Sequence, residues 1–356
     1  MCYYIKVICR NLIFAGDFMN KNKAKKIATW IIVPLMAAIF ILDIITVAIG
    51  NRYAKRFDIK EETFGGEYGD DRIHFLNTAN SDCILLESNG KFALIDSGEG
   101  ENNPRRKSQY RGYSQRVISY LKDVAADESG KVNLEFIIAT HYHYDHSGSF
   151  DKIINDEDII INKAYFKEYD PDIDYDYEVN EWGLLEIYNT IIKDLAERNI
   201  ELIQDIPENL TLGDFDIELF NTVNYEESKG KGENAASIGA KVVKGDKSAF
   251  LAADITSKTG LEKKLGESVG HVDLLKAAHH GYFGSSSMYF LDCLTPDVAI
   301  IPNEQGKVYP NVKWNFTMHA KIPFYATFDY NGIIASFTDD GEIILTNNIH
   351  ERAENK

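Results

Sequence analysis

The stretch "FIIATHYHYDHSGSF", Phe136 to Phe150, places three of the chain's nine histidines and one aspartate within six residues, directly after an apolar run. Its reading decides the fold. "NLEFIIATH" reads as a buried strand, and the polar loop follows at its end. In an extended segment residues two apart point the same way, so His141 and His143 aim at one place. Ser147-Gly148 permits a turn, which lets Asp145 and His146 face a neighbouring place. Imidazole and carboxylate are groups that zinc accepts, whereas closed structural zinc sites usually recruit cysteine, and none is near. The alternative of three unrelated surface histidines gives no reason for this spacing behind a strand.

The same arrangement recurs along the chain. "KFALIDSGEG" is an apolar run ending in Asp96, "SAFLAADIT" ends in Asp254, and "VDLLKAAHHGYFGSSS" ends in His279-His280-Gly281. Each aspartate alone is an ordinary strand end. Together they predict that polar strand ends converge on one edge of a layered fold. "IHFLN" and "CILLES" read as further strands, as do "FDIELFN", "SIGAKVV" and "DVAIIPN", with "IIASFTDDGEIILTN" closing the chain. "YSQRVISYLKDVA" and "EWGLLEIYNTIIKDLAERN" have helical spacing, the second from Glu181. No internal repeat is found. The alternation predicts an α/β domain with sheets covered by helices. "KEYDPDIDYDYEVNEWG" is acidic and tyrosine-rich, and reads either as a solvated insert or as a lid over the site.

The chain has 356 residues and a formal net charge of −17. Residues 1–50 run against that trend, with Lys6, Arg10, Lys21, Lys23, Lys25 and Lys26 against Asp17 and Asp43, a balance of +4 that leaves −21 for the remainder. Such a body repels polyanions at long range, which counts against broad nucleic-acid binding. Ile27 to Gly50 holds one charged residue in 24, long enough to cross a bilayer as a helix. The lysines of "KNKAKK" precede it, so the N-terminus is expected in the cytoplasm and the remainder outside the cell. A cleaved signal peptide is the alternative, with "VAIG" a weak site. Met19 stands before the lysines and is a second candidate start. The expected organisation is a cytoplasmic segment 1–26, a transmembrane anchor 27–50, a linker 51–70, a domain 71–347 and a tail 348–356. Cys83 and Cys293 sit in apolar settings and read as buried free thiols rather than a disulfide.

Strand-Asp-x-Gly, then His-x-His-x-Asp-His, then strand-Asp, then strand-His is the motif order of the metallo-β-lactamase superfamily, which the sequence resembles over roughly Asp71 to Asn347. "LKAAHHG" followed by serines, and "FYATFDYNGIIAS", look like a narrower branch. That branch includes the hydrolase-like domain of the DNA-uptake channel protein of competent bacteria, with the phosphorylcholine esterases of teichoic acids less close. The resemblance implies an αββα sandwich with the site at one edge. It implies His141 and His143 on a first metal, Asp145, His146 and His280 on a second, and Asp254 bridging. It also implies Asp96 behind them, orienting a ligand imidazole, and His279 facing the substrate. Asp145 and His279 are the expected catalytic groups. Asp145 would guide the attacking hydroxide, and His279 would protonate the leaving group or hold a phosphoryl oxygen. Two Zn2+ ions are expected, with Mn2+ or Fe as alternatives.

Two departures stand out. No histidine lies between Ser147 and Gly270, so the third histidine that many members bring to the first metal is missing, and Asn234 or Glu233 of "GENAAS", or a water, would stand in. Tyr282 occupies a position that is commonly serine in the branch. The expected function is a membrane-anchored, extracellular two-zinc hydrolase of a cell-envelope phosphodiester, of phosphorylcholine or teichoic-acid type. Its partners would be the membrane and a small-molecule or cell-wall polymer substrate. A single-strand nuclease of the uptake type is a second reading, as is a binding or sensing protein that keeps metal for structure. Lactonase, thioesterase and β-lactamase chemistry stay open, because the fold hosts many reactions. The remaining histidines, His74, His271, His319 and His350, are expected to have surface or packing roles.

Overall fold

The computed structural model describes residues 21–53, 57, 59–61, 68–101, 103 and 112–347. The first twenty residues, half of the expected linker and the tail 348–356 lie outside them.

Two sheets form the body. One runs Lys60–Glu61, Ile343–Asn347, Ile333–Phe337, Arg72–Phe75, Ile84–Ser88, Lys91–Ile95, Val132–Ile138, Lys163–Tyr165 and Glu201–Ile203, with Ile159–Ile161 also paired to Val132–Ile138. The other runs Phe324–Ala326, Val298–Ile301, Leu274–Lys276, Lys247–Leu251, Gly239–Lys244, Phe215–Phe220 and Asn209–Leu212. Side chains alternate faces with period two. Ile84 and Leu86 point between the sheets, where they meet Ile217, Val242 and Leu251. Leu85 and Leu94 point outward, under the helices Ser114–Ala125, Phe150–Asn155 and Leu184–Glu197. On the far side Phe250 and Leu275 pack beneath Leu261–Val269, Met288–Leu294 and Pro310–Trp314. This is the α/β domain of helix-covered sheets that the alternation predicts, in the αββα order that the resemblance implies.

Some boundaries differ from expectation. The helix expected from Glu181 starts at Leu184, because Gly183 takes φ +67 and breaks it from the short helix Asp176–Asn180. The run "VDLLKAAHH" is a strand only over Leu274–Lys276; a 3₁₀ turn over Ala278–Gly281 then carries both histidines. The three-residue strands Ile159–Ile161, Lys163–Tyr165, Glu201–Ile203 and Phe324–Ala326 are too short to show a period in the sequence.

Lys21–Tyr53 is one helix, and its segment Thr29–Gly50 is apolar enough to span a bilayer and is hardly covered by the rest of the chain. Asp43 does not stand alone on it. Its carboxylate lies 3.0 Å from Nζ of Lys313, a buried residue of the helix Pro310–Trp314. The last turns of the long helix therefore rest on the domain. Cys83 is buried and Cys293 half-buried, and both are free thiols.

Glu262, in the first turn of Leu261–Val269, is buried and accepts the Ser287 backbone N–H at 3.2 and 3.3 Å. Burial, partly offset by the Ser287 and Ser286 hydrogen bonds, raises its carboxyl from 4.5 to about 7. The folded protein holds a proton there that the unfolded chain releases. The stabilisation is therefore complete below pH 4.5 and is lost as pH rises through 7, by about 3 kcal/mol. Urea unfolding of the parent should weaken from pH 5 to pH 8 relative to Glu262→Gln, which cannot ionise. Equal pH slopes for the two proteins would refute the assignment.

Candidate metal centre

All the residues singled out by the sequence sit at one edge of the sandwich, on loops that leave strand ends. Val132–Ile138 delivers His141 and His143, and a single helical turn at Tyr144–Ser147 brings His146 back toward them. Asp96 follows Lys91–Ile95, Asp254 follows Lys247–Leu251, and His280 follows Leu274–Lys276. The loops are stitched together. The Asp96 N–H donates to Ile138 O at 2.9 Å, Asp82 N–H to Asp145 O at 2.9 Å, and His279 N–H to Ala253 O at 2.9 Å. Asp96, Ala253, His279 and His280 all have positive φ, between 43° and 57°. Each costs about 1–3 kcal/mol for a side chain with a Cβ, and such strain collects where surrounding structure must fix a functional geometry.

Ring nitrogens converge. His141 Nε2 lies 3.2 Å from His143 Nδ1, and His146 Nε2 lies 3.1 Å from His280 Nε2. Asp254 stands between the two pairs. Its Oδ1 is 3.2 Å from His146 Nε2 and 3.4 Å from His280 Nε2, while its Oδ2 is 3.8 Å from His141 Nε2. Asp145 Oδ2 is 3.7 Å from His280 Nε2. Two imidazole nitrogens can face each other at such distances only across a shared proton or a shared cation. Two pairs joined by one buried carboxylate make a cluster that can hold two metal ions, the first against His141, His143 and Asp254, the second against His146, His280 and Asp254.

What lies behind each ring supports this. His141 Nδ1 faces Thr140 Oγ1 at 3.1 Å, and His146 Nδ1 faces Asp96 Oδ2 at 2.7 Å. His280 Nδ1 faces Asp82 Oδ1 at 3.2 Å, and His143 Nε2 faces Glu178 Oε1 at 3.1 Å. Each of these four rings thus has an oxygen close to the nitrogen turned away from the cluster, an arrangement that favours one tautomer and aims the other lone pair inward. Asp96 also accepts the Thr140 N–H and hydroxyl, each at 2.8 Å. Asp82 contacts the same four-residue group as His146, Asp254 and His280, but it meets the outward nitrogens, so it belongs behind the rings. Burial opposes its charge, yet Lys276, His280 and His146 together hold its carboxyl down at about 2.

The charges agree with a cation site. Burial opposes a charged His146, but Asp254, Asp96 and Asp82 outweigh it and lift its pKa well above the ordinary value. His141 moves the opposite way, well down, through burial and then through His146 and His143. Protons fill part of the cluster, and a metal ion would displace them.

The third-ligand position is corrected in part. Glu233 is turned away: its Oε1 accepts the Tyr142 N–H at 2.7 Å, and burial, then Asp174, pushes its carboxyl well above the usual range. Asn234 does face the site. Its Nδ2 is 3.4 Å from His279 Nε2 and its buried Oδ1 has no hydrogen-bond partner. The insert is not simply solvated, because Ile173 and Glu178 are buried and Tyr175, Tyr177 and Trp182 wall the cleft above the cluster. That cleft measures about 270 Å³, and Tyr282, Lys231, Lys258 and His279 also line it. His319 does not reach it but pairs with Asp292 at 2.7 Å. His74 is buried between Tyr120 and Glu87, His271 bonds Thr295, and His350 lies outside the described residues.

Sequence reasoning missed Asp82, Lys276, Glu178 and Asn303. Lys276 had a signal, a lone charge inside an apolar strand. Asn303, fully buried, donates from Nδ2 to His280 O at 2.8 Å and steadies the strained turn; nothing local marks it.

Residues 76–223 match the family model described as the metallo-β-lactamase superfamily, and the fold is the metallo-β-lactamase fold. No curated relative matches. Among solved structures, the chain is similar to YhfI, a metallo-β-lactamase fold protein from Bacillus subtilis, at 11% identity and TM-score 0.43, over 78% of this chain and 100% of that one. It is also similar to CmlA, a diiron β-hydroxylase from Streptomyces venezuelae, at 14% identity and TM-score 0.35, over 73% of this chain and 52% of that one. The metallo-β-lactamase MIM-1 from Novosphingobium pentaromativorans is similar at 13% identity and TM-score 0.33, over 61% and 78%.

Proposed function

We propose that this chain, with its metallo-β-lactamase fold and its match to that superfamily over residues 76–223, is a membrane-anchored two-zinc hydrolase of a cell-envelope phosphodiester. The observation that carries the reading is the position of the cluster at the floor of a cleft with an aromatic wall and two lysines. Two divalent cations there would neutralise charge on a phosphoryl group and acidify water. His141 and His143 would hold the first, Asp145, His146 and His280 the second, and Asp254 both.

The chain's own residues supply the rest. Lys231 and Lys258 draw an anionic group toward the floor. Tyr175, Tyr177, Trp182 and Tyr282 line the cleft with aromatic rings, whose faces suit a quaternary ammonium head group. Burial, partly offset by Asp254, brings His279 from 6.5 to about 4, so at neutral pH it is uncharged. It then holds a phosphoryl oxygen by a ring N–H rather than delivering a proton. Asp145, in the first turn after His143, would orient the attacking water. The apolar helix Lys21–Tyr53 is read as the anchor, with the domain outside the cell. The net charge disfavours the nuclease reading, since a strand needs a basic track.

The test is hydrolysis by the zinc-loaded full chain in detergent, with phosphorylcholine esters, single-stranded DNA and lactones side by side. Turnover should be fastest on the phosphorylcholine ester and absent from His146→Ala. Faster lactone or DNA cleavage would replace the substrate class. Equal turnover by His146→Ala would remove the catalytic assignment.

A further inference from the structure

We propose that Glu178 is the positioning residue for His143, so that docking of the acidic tyrosine-rich insert and filling of the first ion site are one coupled event. This rests on the metal-centre reading. His143 turns Nδ1 toward His141 Nε2 at 3.2 Å and Nε2 toward Glu178 Oε1 at 3.1 Å. An ion shared with His141 would sit on the Nδ1 side, which leaves Glu178 outside its ligands. Glu178 accepts the Nε2–H, fixes the tautomer and makes Nδ1 the better donor. A first site that lacks a third histidine depends more heavily on how well its two rings are aimed.

The other carboxylate oxygen ties the insert down. Glu178 Oε2 accepts the backbone N–H of Tyr175 at 2.9 Å and of Glu233 at 3.1 Å. One buried carboxylate therefore joins the histidine loop, the insert and the turn Glu233–Ala236. The fit is close on both sides. Trp182 packs its ring against His143 at a centroid distance of 5.4 Å. Gly232, at φ +87, passes so near Tyr175 that a Cβ there would lie 2.5 Å from its ring. Tyr175, Tyr177 and Trp182 are the same side chains that wall the cleft. An ion at the first site needs Glu178 in place, and Glu178 in place sets the wall. By linkage, whatever the wall binds must tighten the first ion as much as the ion tightens it.

The experiment is competition of the full chain against a chromophoric chelator for zinc, followed by the visible absorption of the cobalt-loaded protein. For Glu178→Ala, one of two ions should dissociate about 10- to 100-fold more readily while the other keeps its affinity. The cobalt spectrum of only one site should change. Glu178→Gln, whose amide oxygen can still accept the Nε2–H, should recover part of the loss. Parental affinity for both ions in Glu178→Ala would overturn the proposal, and so would equal weakening of both, which marks general unfolding. A parent that binds no ion pair would overturn the metal centre itself, a result visible before any variant is made.

Discussion

Asp254→Asn is expected to lower hydrolysis of an activated phosphodiester such as bis-p-nitrophenyl phosphate by about a thousandfold or more, a loss of about 4 kcal/mol of transition-state stabilisation. The variant keeps shape and most packing, and changes one buried carboxylate into an amide. That carboxylate has Oδ1 against His146 and His280 and Oδ2 toward His141. Among the described residues no other side chain belongs to both halves of the cluster. An amide oxygen can serve one half only, and its NH2 would then face a lone pair in the other. Zinc content should fall from about two per chain to one or fewer. His271→Ala, which loses only a surface bond to Thr295, is the control for handling and folding. Retained activity in Asp254→Asn with two ions bound would refute the bridging role.

The same residue sets a pH dependence. Burial opposes its charge, yet His146, His280 and His279 hold the Asp254 carboxyl well below its usual range. His146 and His280 are correspondingly raised by the surrounding carboxylates, against burial. Without an ion, therefore, these rings keep protons to higher pH than a free histidine. Zinc must displace those protons, so its affinity should fall as pH falls.

The sequence made the rim of the fold legible because the rim is where polarity interrupts apolar strands. His141, His143, His146, Asp254 and His280 each follow a run of buried residues, and that local contrast survives without coordinates. The residues that aim them do not share it. Glu178 reaches His143 across 35 positions, and Asp82 reaches His280 across nearly two hundred. Their roles exist only after the sheets stack. Glu233 misled for the same reason: proximity in sequence to the expected ligand position says nothing of the direction in which a carboxylate turns, and this one turns to the Tyr142 amide. Short strands such as Lys163–Tyr165 and Phe324–Ala326 were invisible because three residues cannot show a period.

Lys276→Ala should destabilise the fold by about 3–5 kcal/mol, the usual cost of stripping one partner from a buried ion pair. Lys276 is fully buried, in direct contact with the equally buried Asp82, and its Nζ also donates to Ala253 O at 2.9 Å. Removing the ammonium leaves a carboxylate with no water to solvate it, beside His280. Its own relief would be to take up a proton, and a protonated Asp82 is a weaker acceptor for His280 Nδ1. Stability and the aim of a metal-facing ring would then fail together. The comparison that separates them is Lys276→Met with Asp82→Asn, which removes both charges and keeps volume. Urea unfolding should show this pair of changes costing less than Lys276→Ala alone, because the unpaired charge, not the lost contact, dominates. Zinc affinity should fall in Lys276→Ala, whose Asp82 has lost its cation, and recover in part in the paired variant, where an amide oxygen still stands behind His280 Nδ1. If Lys276→Ala costs under about 1 kcal/mol, the pair is not the buried brace that this geometry describes.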